Sequence, residues 1–147
     1  MTSVPVDELP LPVLLAQAGR RAVLLLGAQF STSGLRPRHG QILMRLEQTG
    51  SATQQQLLEQ LGVDPSVLVG LLNDLEDAAL VERVRDPADR RRHIVRLAER
   101  GRAVAADVHR SVADVHAQLF PAASEADLEV LRRVLVAVCA AEEGDCR

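Results

Sequence analysis

The chain has 147 residues and a formal net charge of -3, long enough for one domain with a proper core and too short for two independent ones. Two Phe with no Trp and no Tyr leave no stacking platforms for unpaired bases, which excludes single-stranded nucleic acid as a partner class. No uninterrupted run of about 18 apolar residues occurs, and the opening MTSVPVDELPLPVLLAQAGRR carries its arginines after the apolar stretch, so the expectation is a cytoplasmic protein with no membrane partner.

In chain order, Leu11, Leu14, Leu15, Ala18, Ala22 and Leu25 recur at helical spacing, and AVLLLGA at 22–28 is apolar nearly all round, which predicts one helix buried on more than one side. SGLRP then breaks it, with Pro37 suited to the first turn of a second helix that runs to about Gln48 and ends at Gly50. Thr53 and Gln56 form a Thr-x-x-Gln capping box that opens a short third helix, closed by Gly62. Asp64 and Pro65 supply an N-cap and an N1 proline for a fourth helix, whose Leu68, Leu71, Leu72 and Leu75 share one face. Two short helices joined through a glycine are the pattern of a helix-turn-helix. LVERVR at 80–85 and HIVRL at 93–97 alternate at period two around DPADRR, which predicts a β-hairpin. Val104, Val108, Val112, Val115 and Leu119 give a long fifth helix stopped by Pro121. Ser124 with Asp127 starts a sixth, striped by Leu128, Leu131, Leu135 and Val138 and widened by Val130 and Val134.

The predicted architecture is mainly α with a small β-hairpin wing, a winged helix-turn-helix flanked by long helices. One winged helix cannot cover the apolar surface of the first, fifth and sixth helices, so they are expected to bury it in a two-fold dimer. The chain then divides as a single domain, 1–147, with a winged-helix lobe at 34–98 and a dimerisation lobe made of 1–33 plus 99–147.

Charge is distributed unevenly. Between Arg83 and Arg102 there are eight arginines against Asp86, Asp89 and Glu99, a local balance of +5 inside an acidic chain. Every basic residue is arginine, which a coding bias explains, so placement rather than number carries the argument. Such a cluster is either a solvated turn or a site for a polyanion.

Residues 61–102, LGVDPSVLVGLLNDLEDAALVERVRDPADRRRHIVRLAERGR, resemble the MarR family of bacterial transcriptional regulators. The likeness lies in the Asp-Pro-Ser helix start, the Ala-Leu-Val-Glu-Arg exit and the Asp-Pro-x-Asp-Arg-Arg wing. It implies a homodimer that binds double-stranded DNA, acts as a repressor and responds to a small ligand or an oxidant. The family's Asp-x-Arg wing signature falls on Asp89 and Arg91. Arg91 is then expected in the minor groove, where a narrow groove favours arginine, with Arg90 and Arg92 on phosphates and Asp89 holding its neighbours. The fourth helix departs from the pattern. Relatives usually place Thr-x-Val/Leu-Thr-Arg where this chain has VLVGLLND at 67–74, so its outward face offers Ser66, Gly70, Asn73, Asp74 and Asp77, flanked by Val67 and Val69, without a cation. Readout would rest on Ser66 and on contact of Val67 or Val69 with thymine methyls, both weaker than bidentate arginine on guanine; Gln54, Gly70 and Asn73 complete the candidate contacts. Gly70 in mid-helix costs about 1 kcal/mol relative to Ala, explained either by close approach of a DNA backbone or by packing on a neighbouring helix. Ala98 stands where relatives often carry a capping threonine.

The resemblance also implies a lipophilic, often aromatic acid bound between the dimer helices and the winged helix, with Arg20, Arg38 or His39 as carboxylate anchors or simply as surface groups. The family's oxidant-sensing thiol near the N-terminal helix has no counterpart here. Cys139, among the apolar positions of the sixth helix, reads as a small core or interface residue and Cys146 as a tail residue. His39, His93, His109 and His116 are accompanied by no Gly-rich phosphate loop, nucleophile elbow or His-Glu-x-x-His pattern, so neither catalysis nor a cofactor is expected. Asp107, His109, Asp114 and His116 scatter around their helix and are not expected to bind metal. The competing reading is a winged-helix dimer that serves as a protein-interaction or ligand-binding module, favoured by the cation-free fourth helix and opposed by the wing.

Overall fold

The computed structural model describes residues 5–140, and the chain forms two compact units, Met1–Val115 and His116–Arg147. In the first unit a short 3-10 turn, Val6–Glu8, precedes α1 (Leu11–Ser31). Then come α2 (Pro37–Thr49), β1 (Ser51–Ala52), α3 (Gln54–Leu61) and α4 (Pro65–Asp77), followed by β2 (Val81–Arg85), β3 (His93–Leu97) and the start of α5 (Glu99–Leu119). The sheet has the order β1-β3-β2 and is antiparallel throughout. Its two-residue first strand, Ser51 opposite Arg96 and Ala52 opposite Val95, is absent from the sequence expectation because two residues carry no period to read.

The helix starts and stops follow local chemistry. Thr53 accepts from the Gln56 amide at 3.1 Å while the Gln56 side chain accepts from the Thr53 amide at 2.8 Å, a reciprocal capping box. Gly50 and Gly62 close α2 and α3 at positive φ, +76° and +58°, where side-chain-bearing residues are strained. Asp64 occupies the N-cap of α4 in extended conformation, but its carboxylate makes no capping hydrogen bond; it acts only through its charge at the helix start.

The 3.6-residue period brings one leucine face of each short helix into a common core. Ile42, Leu43 and Leu46 from α2, Leu57 from α3 and Leu68, Leu72 and Leu75 from α4 are essentially inaccessible, as is Val95 of the central strand. Each such side chain contributes roughly 1.5–3 kcal/mol. Phe30 reaches this core from α1 and lies against Gly40. Gly101 sits where α5 crosses the entry to β2. A Cβ there would lie 1.8 Å from the Leu80 carbonyl oxygen, which also accepts from the Ala98 amide at 3.0 Å. That bond ties the start of α5 to the base of the hairpin.

On length and composition α1 meets the requirement for a membrane span, with mean hydropathy 1.3, where the sequence expectation admitted no such segment. Its physical character differs. Arg20 and Arg21 fall at its middle, where each would cost about 2.5–3.5 kcal/mol in a bilayer, and its last turn is anchored in the core by Phe30.

In the second unit Ser124 and Asp127 cap α6 (Glu125–Ala140). The Ser124 hydroxyl donates to Asp127 at 2.6 Å and accepts from the Asp127 amide at 3.1 Å, which holds the Asp127 carboxyl below its ordinary range. His116, Phe120, Leu128, Leu131, Leu135 and Val136 line a recess of about 300 Å³. No residue of α6 is buried, so its predicted stripe lies open, as do Leu11, Val13, Leu15, Val23 and Leu24 along α1. Cys139 is exposed; Cys146 lies outside the described residues.

Candidate nucleic-acid interface

The wing is a turn organised by its two aspartates. Asp86 Oδ1 accepts from the Ala88 amide at 2.9 Å and Asp89 Oδ1 from the Arg91 amide at 3.0 Å. Backbone bonds from Asp86 N–H to Arg92 and from Arg92 N–H to Asp89, each 2.9 Å, close it. Asp89 therefore holds its neighbour by the main chain, as Asx turns do, and leaves the arginine side chains free. Arg90, Arg91 and Arg92 are exposed at the tip.

Of the eight arginines in this stretch, two are engaged. Arg96 Nε donates to Glu82 Oε1 at 2.6 Å across the β2–β3 pair, and Arg83 reaches α4. Among the described residues Arg85, Arg90, Arg91, Arg92, Arg100 and Arg102 have no carboxylate within salt-bridge distance. The tip thus presents uncompensated positive charge on a fixed turn.

On α4 the predicted outward set is exposed: Ser66, Val67, Val69, Gly70, Asn73, Asp74 and Asp77 all face solvent. A Cβ on Gly70 would meet nothing within 4 Å, so packing on a neighbouring helix of this chain does not account for the glycine. Gln54, the first residue of α3, is half-buried. The face is not without cations, contrary to expectation. Arg83 from β2 donates through Nη2 to Asn73 Oδ1 at 2.8 Å and lies 3.3 Å from Glu76 Oε2, while Arg36, just before α2, donates to Asp74 Oδ2 at 2.5 Å. Both arginines are paired with carboxylates on the same helix.

His39 joins this second pair. Its Nδ1 accepts from the Arg36 backbone N–H at 3.1 Å, so the proton of the neutral ring sits on Nε2, which donates to Asp74 Oδ2 at 3.2 Å. The side chain is only 6% exposed. Burial pushes its pKa down, the nearby Arg36 guanidinium pushes the same way, and Asp74 opposes both.

The three predicted carboxylate anchors are not gathered in one place. Arg20 is exposed on α1. His39 lines a cavity of about 480 Å³ together with Arg36, Asp74, Leu75, Arg100 and Val104. Arg38 lines a different one, about 680 Å³, with Val23, Pro37, Leu61, Val67 and Leu71. Arg36 borders both cavities; the sequence reading missed it, and its place beside the helix-starting Pro37 was the available signal. Arg83 was missed for a different reason, since its partners come from another element. Among the described residues no cluster of metal-ligating side chains forms.

A family model described as MarR family matches residues 33–92, the stretch that contains α2 to α4, β2 and the turn at the wing tip, and ends before β3. No curated protein matches the sequence. Among solved structures, CouR from Rhodococcus jostii bound to p-coumaroyl-CoA is 28% identical with a TM-score of 0.84, over 92% of this chain and 95% of that one. A MarR-family transcriptional regulator from a Rhodococcus species is 26% identical with a TM-score of 0.81, over 93% and 97%. A cysteine-to-serine variant of MarR from E. coli in complex with operator DNA shares the fold at 24% identity and a TM-score of 0.77, over 93% and 99%. The match over residues 33–92 and these likenesses over nearly the whole chain agree with the wing and helix order described above: the chain is similar to MarR-family regulators in its winged-helix segment and shares their fold.

Proposed function

We propose that the chain is a homodimeric transcriptional regulator, a repressor, that binds double-stranded DNA through α4 and the wing and releases it in response to a small ligand. The observation that carries this reading is the wing tip, where Arg90, Arg91 and Arg92 stand exposed with no carboxylate partner among the described residues, on a turn fastened by Asp86 and Asp89. A polyanion is the partner such a tip fits, and the E. coli relative bound to operator DNA supports a duplex as that polyanion. Arg91 enters the minor groove, Arg90 and Arg92 hold phosphates, and Ser66, Val67, Val69, Gly70 and Asn73 face the major groove, with Gln54 at its edge.

The dimer follows from the uncovered apolar faces of α1 and α6, the dimerisation lobe in this reading. Sedimentation is expected to give twice the chain mass at micromolar concentration. The ligand reading draws on the two cavities that share Arg36, whose guanidinium suits the carboxylate of an apolar acid; CouR, bound to p-coumaroyl-CoA, an aromatic acyl thioester, supports a small-molecule ligand in general rather than that acid class. The protein acts in the cytoplasm without a cofactor or catalytic role.

Affinity for a mixed-sequence duplex measured across salt concentrations tests the reading. Wing phosphate contacts should make it fall steeply, by a slope of about 0.9 per phosphate neutralised. A specific observation favours one rival, since the arginines that reach α4 are paired with Asp74 and Glu76. If duplex affinity is absent or flat with salt, the dimer is a protein-interaction or ligand-binding module instead.

A further inference from the structure

Asn73 lies on the outward face of α4, four residues beyond Val69, and its Oδ1 accepts from Arg83 Nη2 at 2.8 Å. A guanidinium only donates hydrogen bonds, so chemistry fixes the amide: the oxygen turns toward β2 and the NH2 group away from it. Arg83 is itself held. Its Cα stands opposite Val95 in the β2–β3 register, and its Nε forms an ion pair with Glu76 Oε2 at 3.3 Å. With 28% of its side chain exposed, it is partly shielded from the solvent that would screen its charge.

An unconstrained asparagine offers one acceptor and one donor side by side, the pair that matches the N6 amino group and N7 of adenine. Here the acceptor already faces a full positive charge. A base amino group approaching Oδ1 would meet that charge as well, and the amino groups of adenine and cytosine are therefore disfavoured. The group left to read with is the NH2, which carries two donors. We infer that Arg83 orients Asn73 as a donor-only reader of a purine edge made of acceptors, N7 and O6 of guanine, in place of the adenine pairing an asparagine ordinarily makes. Asn73 touches the base; Arg83 is a positioning residue. The inference rests on the proposal that α4 lies in the major groove.

The test uses the full-length protein. Duplexes retained by the wild-type chain are recovered from a random pool, and one is scanned with 7-deazaguanine at each guanine, with purine lacking the amino group at each adenine, and with methylphosphonate at each phosphate. At one guanine per half-site the 7-deaza base should weaken wild-type binding roughly 5- to 100-fold. Asn73→Ala and Arg83→Met should lose that sensitivity with melting midpoint and dimer mass unchanged, and Arg83→Lys, whose ammonium also only donates, should regain part of it. If Arg83→Met does not fold, Asn73→Asp serves: it keeps an acceptor toward Arg83, replaces the donors by an anion, and should lose the guanine position by the same factor. The inference is overturned if the Asn73-dependent position is an adenine that needs its amino group, if only a methylphosphonate responds to Asn73→Ala, or if Arg83→Met keeps the guanine sensitivity. A wild-type chain that retains no duplex overturns the DNA reading and this inference together; retention without any Asn73-dependent position overturns the inference alone.

Discussion

The wing tip and the outward face of α4 both carry arginine, and they use it in opposite ways. At the tip Arg90, Arg91 and Arg92 are exposed and, among the described residues, unpaired, because each of the two aspartates there directs an oxygen to a backbone amide. On α4 the arginines arrive from elsewhere, Arg36 and Arg83, and each meets a carboxylate or amide of the helix. Counting charges treats the two regions alike. Their partners separate them: one holds cations available to a ligand, the other uses cations to set the position of its own polar groups.

The largest expected effect tests whether the wing works from a rigid base. Gly101 lets α5 pass against the Leu80 carbonyl, and a Cβ there collides with backbone rather than with a movable side chain. Gly101→Ala should destabilise the fold by about 3 kcal/mol, at or above the upper end of ordinary overpacking, because neither partner can rotate away. Thermal or denaturant unfolding measures it. A loss under about 1 kcal/mol would mean that α5 and the hairpin base shift freely, and the wing is then not a fixed probe.

The next effect is the comparison itself expressed as affinity. Arg91→Ala should weaken duplex binding by about 1–3 kcal/mol with little change in stability. Arg36→Ala, already paired with Asp74, should change duplex affinity far less. Anisotropy titrations at one fixed salt concentration compare the two. Equal losses would erase the distinction between available and engaged arginines, and an unaltered Arg91→Ala would reduce the tip to a solvated turn.

These regions were legible in the sequence to different depths, for physical reasons. The outward set of α4 and the hairpin could be read because burial repeats with the period of the element, so Leu68, Leu71, Leu72 and Leu75 declare the opposite face. The Thr53–Gln56 and Ser124–Asp127 caps could be read because their partners are three residues apart. The pairs Arg83–Asn73 and Arg36–Asp74 could not, since they join elements 10 and 38 residues apart and leave no local pattern. Gly101 was silent for the same reason: its constraint is the carbonyl of a residue on another element. Ala98, which stands where relatives often carry a capping threonine, offers α5 no side-chain acceptor; its amide is used instead on the Leu80 carbonyl of another element, a contact with no local pattern.

A smaller effect asks whether α4 would accept an available cation. The space around Gly70 is open, so Gly70→Ala should stabilise the fold by about 1 kcal/mol. Gly70→Arg should fold as well, raise duplex affinity and steepen its salt slope by roughly one unit. If Gly70→Arg abolishes DNA binding while the dimer persists, the glycine serves close approach of the duplex backbone, which leaves no room for a side chain. No change in affinity would place α4 outside the groove.

The smallest effect separates the regions by pH. Arginine side chains carry no titration in the accessible pH range, whereas the pairing at α4 includes His39, a buried imidazole that accepts from the Arg36 amide and donates to Asp74. Burial first, then Arg36, lowers its pKa in the folded chain, and Asp74 opposes both. In the unfolded chain a histidine takes its proton at about pH 6.5. Between that value and the lowered folded one the unfolded chain binds more protons, so stability rises with pH. The contribution of His39 is complete above about pH 6.5, declines as pH falls toward the folded value, and changes no further below it. Protonation also places a second N–H against the Arg36 amide, so the link between α2 and α4 is what acid weakens. Melting midpoints of the wild type and of His39→Gln, whose amide can still donate toward Asp74, should therefore converge on acidification from neutral pH, with the wild type losing more. A difference that stays flat, or that grows in favour of the wild type as pH falls, would show that His39 does not couple α4 to pH and that the two regions differ in their partners alone.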